Sequence, residues 1–122
     1  MRMAALLALL IMVSVSWTGE TKAAERRFAL VVGYNDSDDP ALKRLRYADD
    51  DALRNARLLG HVTDRMIVLT APDKETRRLF GAQDIAAPTR AAVIGSLRKL
   101  HKARDKARAQ GDEPILYFAY SG

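Results

Sequence analysis

Short apolar runs alternate with helical patterns along most of the chain. Largely apolar six-residue runs occupy 28–33, 65–70 and 115–120, and each suits a strand buried on both faces of a sheet. Between them, apolar residues at helical spacing predict one helix over 47–59 and a longer one that begins after Thr89 and runs to about Gln110. A shorter helix is expected over 73–80. The pattern therefore predicts the order β-α-β-α-β.

This order is typical of an α/β fold in which helices flank a parallel sheet. Because crossovers between parallel strands are right-handed, a central first strand gives the spatial order 2-1-3 with helices on both faces. Ligands of such sheets bind where the strand order reverses, outside the carboxyl ends of the strands. Those ends are Gly33-Tyr34 and 120–122. We also expect an open apolar edge at the third strand, with Phe118 and Tyr120 packed in the core.

The first two dozen residues have the features of a secretory signal peptide. A short basic start at 1–3 precedes a 14-residue apolar run over 4–17 and a polar stretch of small residues over 18–24. Cleavage after Ala23 fits the small-x-small rule and leaves one domain over 24–122. The apolar run is short for a membrane span, although an uncleaved anchor remains an alternative. We expect an exported protein, periplasmic or extracellular, with no stable membrane insertion after cleavage.

Charge and composition narrow the partners. The 122 residues carry a formal charge of +5, which is mildly basic and does not require a nucleic-acid partner. The helix after Thr89 holds much of this charge, but no aromatic residue is interleaved for base stacking, so a solvated helix face is the better interpretation. Its basic residues are Arg98, Lys99, Lys102, Arg104, Lys106 and Arg108.

Two features limit the chemistry of these residues. The chain has no Cys, which excludes disulfides, a thiolate zinc site and a cysteine nucleophile within the 122 residues. The run from Asp36 to Asp39 has the D-x-D start of a calcium loop, yet Pro40 follows and the required Gly and distant Glu are missing. A carboxylate-rich turn is the better interpretation, and we expect neither a metal nor another cofactor.

Four segments, in order, resemble caspase-like cysteine peptidases, the caspase and metacaspase group, and the closest resemblance is to bacterial exported members. The resemblance covers about Arg26 to Gly122. The segments are Arg27–Gly33, similar to the family's first strand; Leu45–Ala52, similar to its first helix with an Asp-Ala pair; Pro88–Ala92, similar to the start of its second helix; and Ile115–Gly122, similar to the strand that runs into a Ser-Gly-His-Gly motif.

The resemblance implies a three-layer caspase-like sandwich and peptide-bond hydrolysis of a protein or peptide substrate. In that family a His directly follows the Ser-Gly pair and a Cys follows the next strand, and neither position is present here. His61 and His101 lie elsewhere in the pattern and are expected to be ordinary surface or interface histidines. The chain is thus interpreted as the N-terminal part of an exported cysteine endopeptidase, inactive alone and without catalytic residues of its own.

Two other classes remain open. One is a catalytically inactive caspase-like interaction module. The other is a receiver-like or different doubly wound ligand-binding domain, although a receiver needs an acceptor Asp where this chain has Ser121.

One substrate-binding residue follows from the resemblance. Metacaspases use the Asp of the Asp-Ala pair to line the pocket for a basic substrate residue, and Asp51-Ala52 matches that pair. A carboxylate there would bind Arg or Lys through charge-assisted hydrogen bonds. The alternative is that all three carboxylates over 49–51 only favour the helix N-terminus and solvent.

Overall fold

A computed structural model describes residues 19, 22–37, 39–80 and 85–122. Residues 1–18 and 20–21, the greater part of the predicted signal peptide, lie outside these, so that feature stays a prediction. The described elements, in chain order, are β1 (Glu25–Gly33), α1 (Ala48–Gly60), β2 (Arg65–Thr70), α2 (Lys74–Phe80), α3 (Arg90–Ala109) and β3 (Glu113–Ser121).

The three strands form one parallel sheet in the order β2-β1-β3. Phe28 of β1 pairs with Arg65 on one side and with Leu116 on the other. At the carboxyl end, Gly33 pairs with Thr70 and Ser121. The predicted α/β class and the 2-1-3 strand order are therefore confirmed.

The central strand buries both of its faces because its side chains alternate with a period of two. Phe28, Leu30 and Val32 pack on one side with Leu100 and Ala107 of α3. Val31 packs on the other side, and its buried partners there are Ala52, Leu53 and Ala56 of α1 together with Val68 of β2. The helices thus cover opposite faces and the fold has three layers. Burial of each large apolar side chain contributes roughly 1.5–3 kcal/mol.

Local signals set the ends of α3. Thr89 caps its first turn, since the Oγ1 atom accepts a hydrogen bond from the backbone N–H of Ala92 at 3.1 Å. After the last turn, Gly111 adopts a φ of +81°, a conformation that side chains rarely allow, and the chain turns directly into β3.

The two edges of the sheet differ. The outer edge of β2 is partly closed at its carboxyl end, because Ala86 accepts a hydrogen bond from the Thr70 N–H at 2.9 Å and donates one to the Val68 carbonyl at 3.3 Å. No described residue pairs with the outer edge of β3. The expected open edge at the third strand is confirmed.

The side chains along that open edge correct one expectation. Phe118 and Tyr120 were expected in the core, but they are 60% and 61% exposed, and Leu116 is 52% exposed. Their β1 partners Leu30 and Val32 are covered by α3, whereas the β3 row lies one strand spacing further out, about 4.8 Å, and stays uncovered.

Candidate functional site

The carboxyl ends of β1 and β3 meet at the predicted switch point. The backbone N–H of Tyr34 donates to the carbonyl of Ser121 at 3.0 Å, which continues the strand pairing past Gly33. A groove of about 540 Å³ opens at this place. The residues that line it include Tyr34, Asn35, Asp36, Leu42, Tyr120 and Gly122.

Asn35 ties the loop after β1 to the start of α1. Its side-chain Oδ1 accepts a hydrogen bond from the backbone N–H of Ala48 at 2.8 Å, and its carbonyl accepts one from the N–H of Leu45 at 2.7 Å. Tyr47 occupies the N-cap position of α1 and makes no side-chain capping bond. Asn35 therefore caps α1 from the preceding loop, where a local Ser, Thr, Asp or Asn would ordinarily do so.

Asp49 joins three segments beneath the groove. Its carboxylate is only 1% exposed and accepts hydrogen bonds from Nδ2 of Asn35 at 2.6 Å and from the backbone N–H of Asp73 at 3.1 Å. Burial by itself would raise the pKa of Asp49, but the hydrogen bonds, led by that from Asn35, outweigh it and hold the pKa below its ordinary value. The ionised carboxylate thus fixes the loops after β1 and β2 against the first turn of α1.

The three consecutive carboxylates of α1 have different surroundings because each residue turns about 100° around the helix. Asp49 points inward. Asp50 accepts a hydrogen bond from Oγ1 of Thr76 at 2.5 Å, which links α1 to α2. Asp51 is exposed and lies 3.6 Å from the guanidinium of Arg54. A purely solvent-facing run is therefore wrong for Asp49, while Asp51 is free to meet a ligand from solvent.

The acidic turn after β1 has local uses for its described side chains. Asp36 pairs with Arg44 at 2.9 Å, and Oδ1 of Asp39 accepts a hydrogen bond from the N–H of Ala41 at 2.9 Å. Oγ of Ser37 accepts one from the N–H of Asp39 at 3.1 Å. Across the described ranges, no cluster of three His, Cys, Asp or Glu side chains is suited to hold a metal ion. These contacts agree with a carboxylate-rich turn.

Both histidines lie away from the groove. His61 follows α1 directly and precedes β2, which places it near the amino ends of the strands. His101 is exposed in the middle of α3, 2.5 Å from the Arg104 guanidinium and 3.5 Å from Asp105. The described residues at the switch point can bind and orient a ligand, but they bring neither an imidazole nor a thiol to it.

The sequence indicates the location of this site but not the residues that hold it together. Asn35, Asp49 and Asp73 come from three segments, and no sequence pattern pairs them. The available signal was positional, since Asn35 stands two residues past the end of β1 and Asp73 three past the end of β2. Polar residues at those places lie at the ligand-binding edge of a parallel sheet.

Comparison of the chain with protein-family models, with curated proteins and with solved structures found no match. Among the described residues, no helix combines the length and the apolar character needed to cross a membrane. The function is therefore argued from the geometry above and from the resemblance of the four sequence segments.

Proposed function

We propose that this chain is the N-terminal part of an exported caspase-like cysteine endopeptidase. It would supply the sheet, the groove and a substrate-binding carboxylate, while a His/Cys dyad encoded beyond Gly122 would perform the hydrolysis. The proposal rests on the four segments that resemble the family, and the strand order 2-1-3 agrees with it.

One observation supports the proposal most directly. The end of β3 is held against the loop after β1, because the Ser121 carbonyl accepts the Tyr34 N–H at 3.0 Å, and Gly122 lines the groove. A residue that followed Gly122 would emerge at the mouth of this groove. In the family pattern that residue is the His, so its imidazole would be supplied at the switch point where ligands bind.

The chemistry would follow from that placement. A Cys thiolate attacks the scissile carbonyl, and the His takes the thiol proton and returns it to the leaving amine. The 122 residues contain no Cys, so they are expected to have no peptidase activity by themselves. Their part is to hold the substrate and the loops around it.

Asp51 is the proposed contact for a basic substrate residue. Its carboxylate is exposed near the N-terminus of α1 and its only described ion pair, with Arg54, is a long one at 3.6 Å. An arriving Arg or Lys could replace that weak pair without disturbing the fold. Asp49 is unsuited to this role because its carboxylate is already buried and hydrogen-bonded.

The source DNA past the codon for Gly122 tests the proposal first. A His codon directly after it, with a Cys codon some tens of residues later, is the expected result. The complete product should then cleave fluorogenic peptides after Arg or Lys, and replacing that Cys by Ala should abolish cleavage.

A stop codon or an unrelated residue after Gly122 would overturn the peptidase proposal. The absence of Cys from the chain and the distance of both histidines from the groove would then favour a catalytically inactive interaction module.

A further inference from the structure

The outer edge of β3 carries an unused set of backbone hydrogen-bonding groups. The carbonyl of Ser121 and the N–H of Glu113 both point toward the β1 side, since they bond to Tyr34 and Ala24. Because a strand alternates with a period of two, the even-numbered residues of β3 direct their N–H and C=O groups outward. Pro114 fits this assignment, since its missing N–H falls on the free edge.

The same even-numbered residues present an apolar stripe. Leu116, Phe118 and Tyr120 are all more than half exposed and lie on the α3 face of the sheet. Natural edge strands usually carry a charge or a bulge that prevents pairing with other chains. From Pro114 to Ser121, β3 carries no charged residue.

We propose that β3 pairs antiparallel with β3 of a second copy of this chain, about a two-fold axis at Phe118. In this register Phe118 lies opposite Phe118 of the second copy, and Leu116 lies opposite Tyr120. The outward N–H and C=O groups of these residues then bond reciprocally, and their side chains stay on one face. One register therefore satisfies the backbone edge and the apolar stripe together.

Charge and area both agree with a second copy as the occupant. No like charges oppose each other along the neutral strands, so self-pairing carries no electrostatic penalty there. The three side chains bring roughly 300–400 Å² per copy. Exposed Ile94 and Leu97 extend the surface, since they lie on the flank of α3 away from the cavity beside β2.

The resulting interface falls somewhat below the standard size of about 800 Å² per partner, which predicts a reversible dimer in the micromolar range. The assembly closes at two copies, because β2, the other edge of the sheet, is partly covered by the segment at Ala86.

The oligomeric state of the full chain, produced with its own first 23 residues in an exporting host, tests this proposal. Sedimentation equilibrium from about 1 to 100 µM should give a monomer–dimer equilibrium. Phe118→Lys should weaken association at least tenfold, because it opposes two charges at the axis. Leu58→Lys is the matched control, since Leu58 is similarly exposed, at 69%, on α1. It should associate as the parent chain does.

A cross-link tests the register separately, and the absence of native Cys makes the result clear. Phe118→Cys should form an intermolecular disulfide on mild oxidation, because directly opposite strand residues have Cα atoms about 5.5 Å apart. Leu58→Cys should not. A monomer throughout the concentration range, assemblies larger than two copies, equal effects of the two Lys variants, or equal cross-linking of the two Cys variants would each overturn the proposal.

Discussion

The side chain of Asn35 makes two bonds in opposite senses at the start of α1. Its Nδ2 donates to the buried carboxylate of Asp49 at 2.6 Å while its Oδ1 accepts the N–H of Ala48 at 2.8 Å. A single amide thus satisfies an anion and a free helix N–H at once. A carboxylate or a hydroxyl of similar size could not perform both functions at neutral pH.

Replacing Asn35 by Ala is expected to destabilise the fold by about 2–4 kcal/mol, because α1 loses its cap and Asp49 loses its strongest donor. Asn35→Asp should be similarly harmful at pH 7, where two carboxylates would face each other. Its deficit should shrink on acidification, since a proton shared by the pair restores a donor. Denaturant unfolding at pH 7 and pH 4 measures both effects.

Asn55→Asp is the control for that experiment, because Asn55 lies half-buried on the same helix. It should show no recovery at acid pH. An Asn35→Asp variant whose deficit is the same at both pH values would contradict the assigned hydrogen bond.

The buried Asp49 carboxylate should make stability depend on pH. Its folded-state pKa is depressed, so its contribution is fully present above the unfolded value of about 3.9 and is lost as the pH falls through the folded value. The free energy of unfolding should therefore decline below about pH 4. Asp49→Asn should be less stable at pH 7 and should show a shallower decline.

Asp105→Asn provides a comparison, since hydrogen bonding from Arg104 also lowers the pKa of Asp105 but the pair is exposed on α3. Solvent screens such pairs, so this variant should keep nearly the parent stability at pH 7. Asp49→Asn and Asp105→Asn profiles that coincide would argue against a special role for Asp49.

Gly33 is expected to tolerate no side chain. A Cβ there would lie 2.4 Å from the Ala48 carbonyl oxygen and 2.4 Å from the Ala52 Cβ, so α1 would have to move off β1. Gly33→Ala should cost about 1–3 kcal/mol or more. Gly95→Ala, in the middle of α3 with nothing within 4 Å of the added Cβ, should instead stabilise by up to about 1 kcal/mol. Thermal unfolding of both variants decides the matter.

Within the proposed peptidase, Asp51→Ala should lower cleavage after Arg or Lys at least tenfold and change stability by less than about 0.5 kcal/mol. Asp50→Ala should show the converse balance, because Asp50 holds Thr76 of α2. Peptide cleavage and unfolding measured on the complete product separate the two residues. Full activity of Asp51→Ala would remove Asp51 from the substrate pocket.

The sequence predicts the sheet well because its information is local. Each apolar run is a strand, and the run over 65–70 matches β2 at both ends. The site depends on longer separations, such as the 24 residues between Asp49 and Asp73, and on the direction in which each carboxylate leaves α1. An Asp at 49 and an Asp at 51 look alike in the sequence, although one is buried and the other is exposed.

The exposure of Phe118 and Tyr120 escaped prediction for a related reason. Their apolar character is typical of a core strand, and β3 has that pattern over its whole length. Whether such a strand is covered depends on the reach of α3 across the sheet. That reach ends above β1, and it follows from how the helix packs and not from the strand residues themselves.

The central position of β1 has a consequence for the order in which the fold can assemble. The chain makes this strand first, yet its two neighbours follow much later: Arg27 meets Asp64 across 37 residues, and Arg26 meets Asp112 across 86. While the polypeptide is being synthesised, the most apolar strand therefore waits without a partner. Such long-range parallel pairing is slow and leaves the strand open to aggregation. A chaperone that holds the newly made chain around 25–33 would protect it until β3 has left the ribosome.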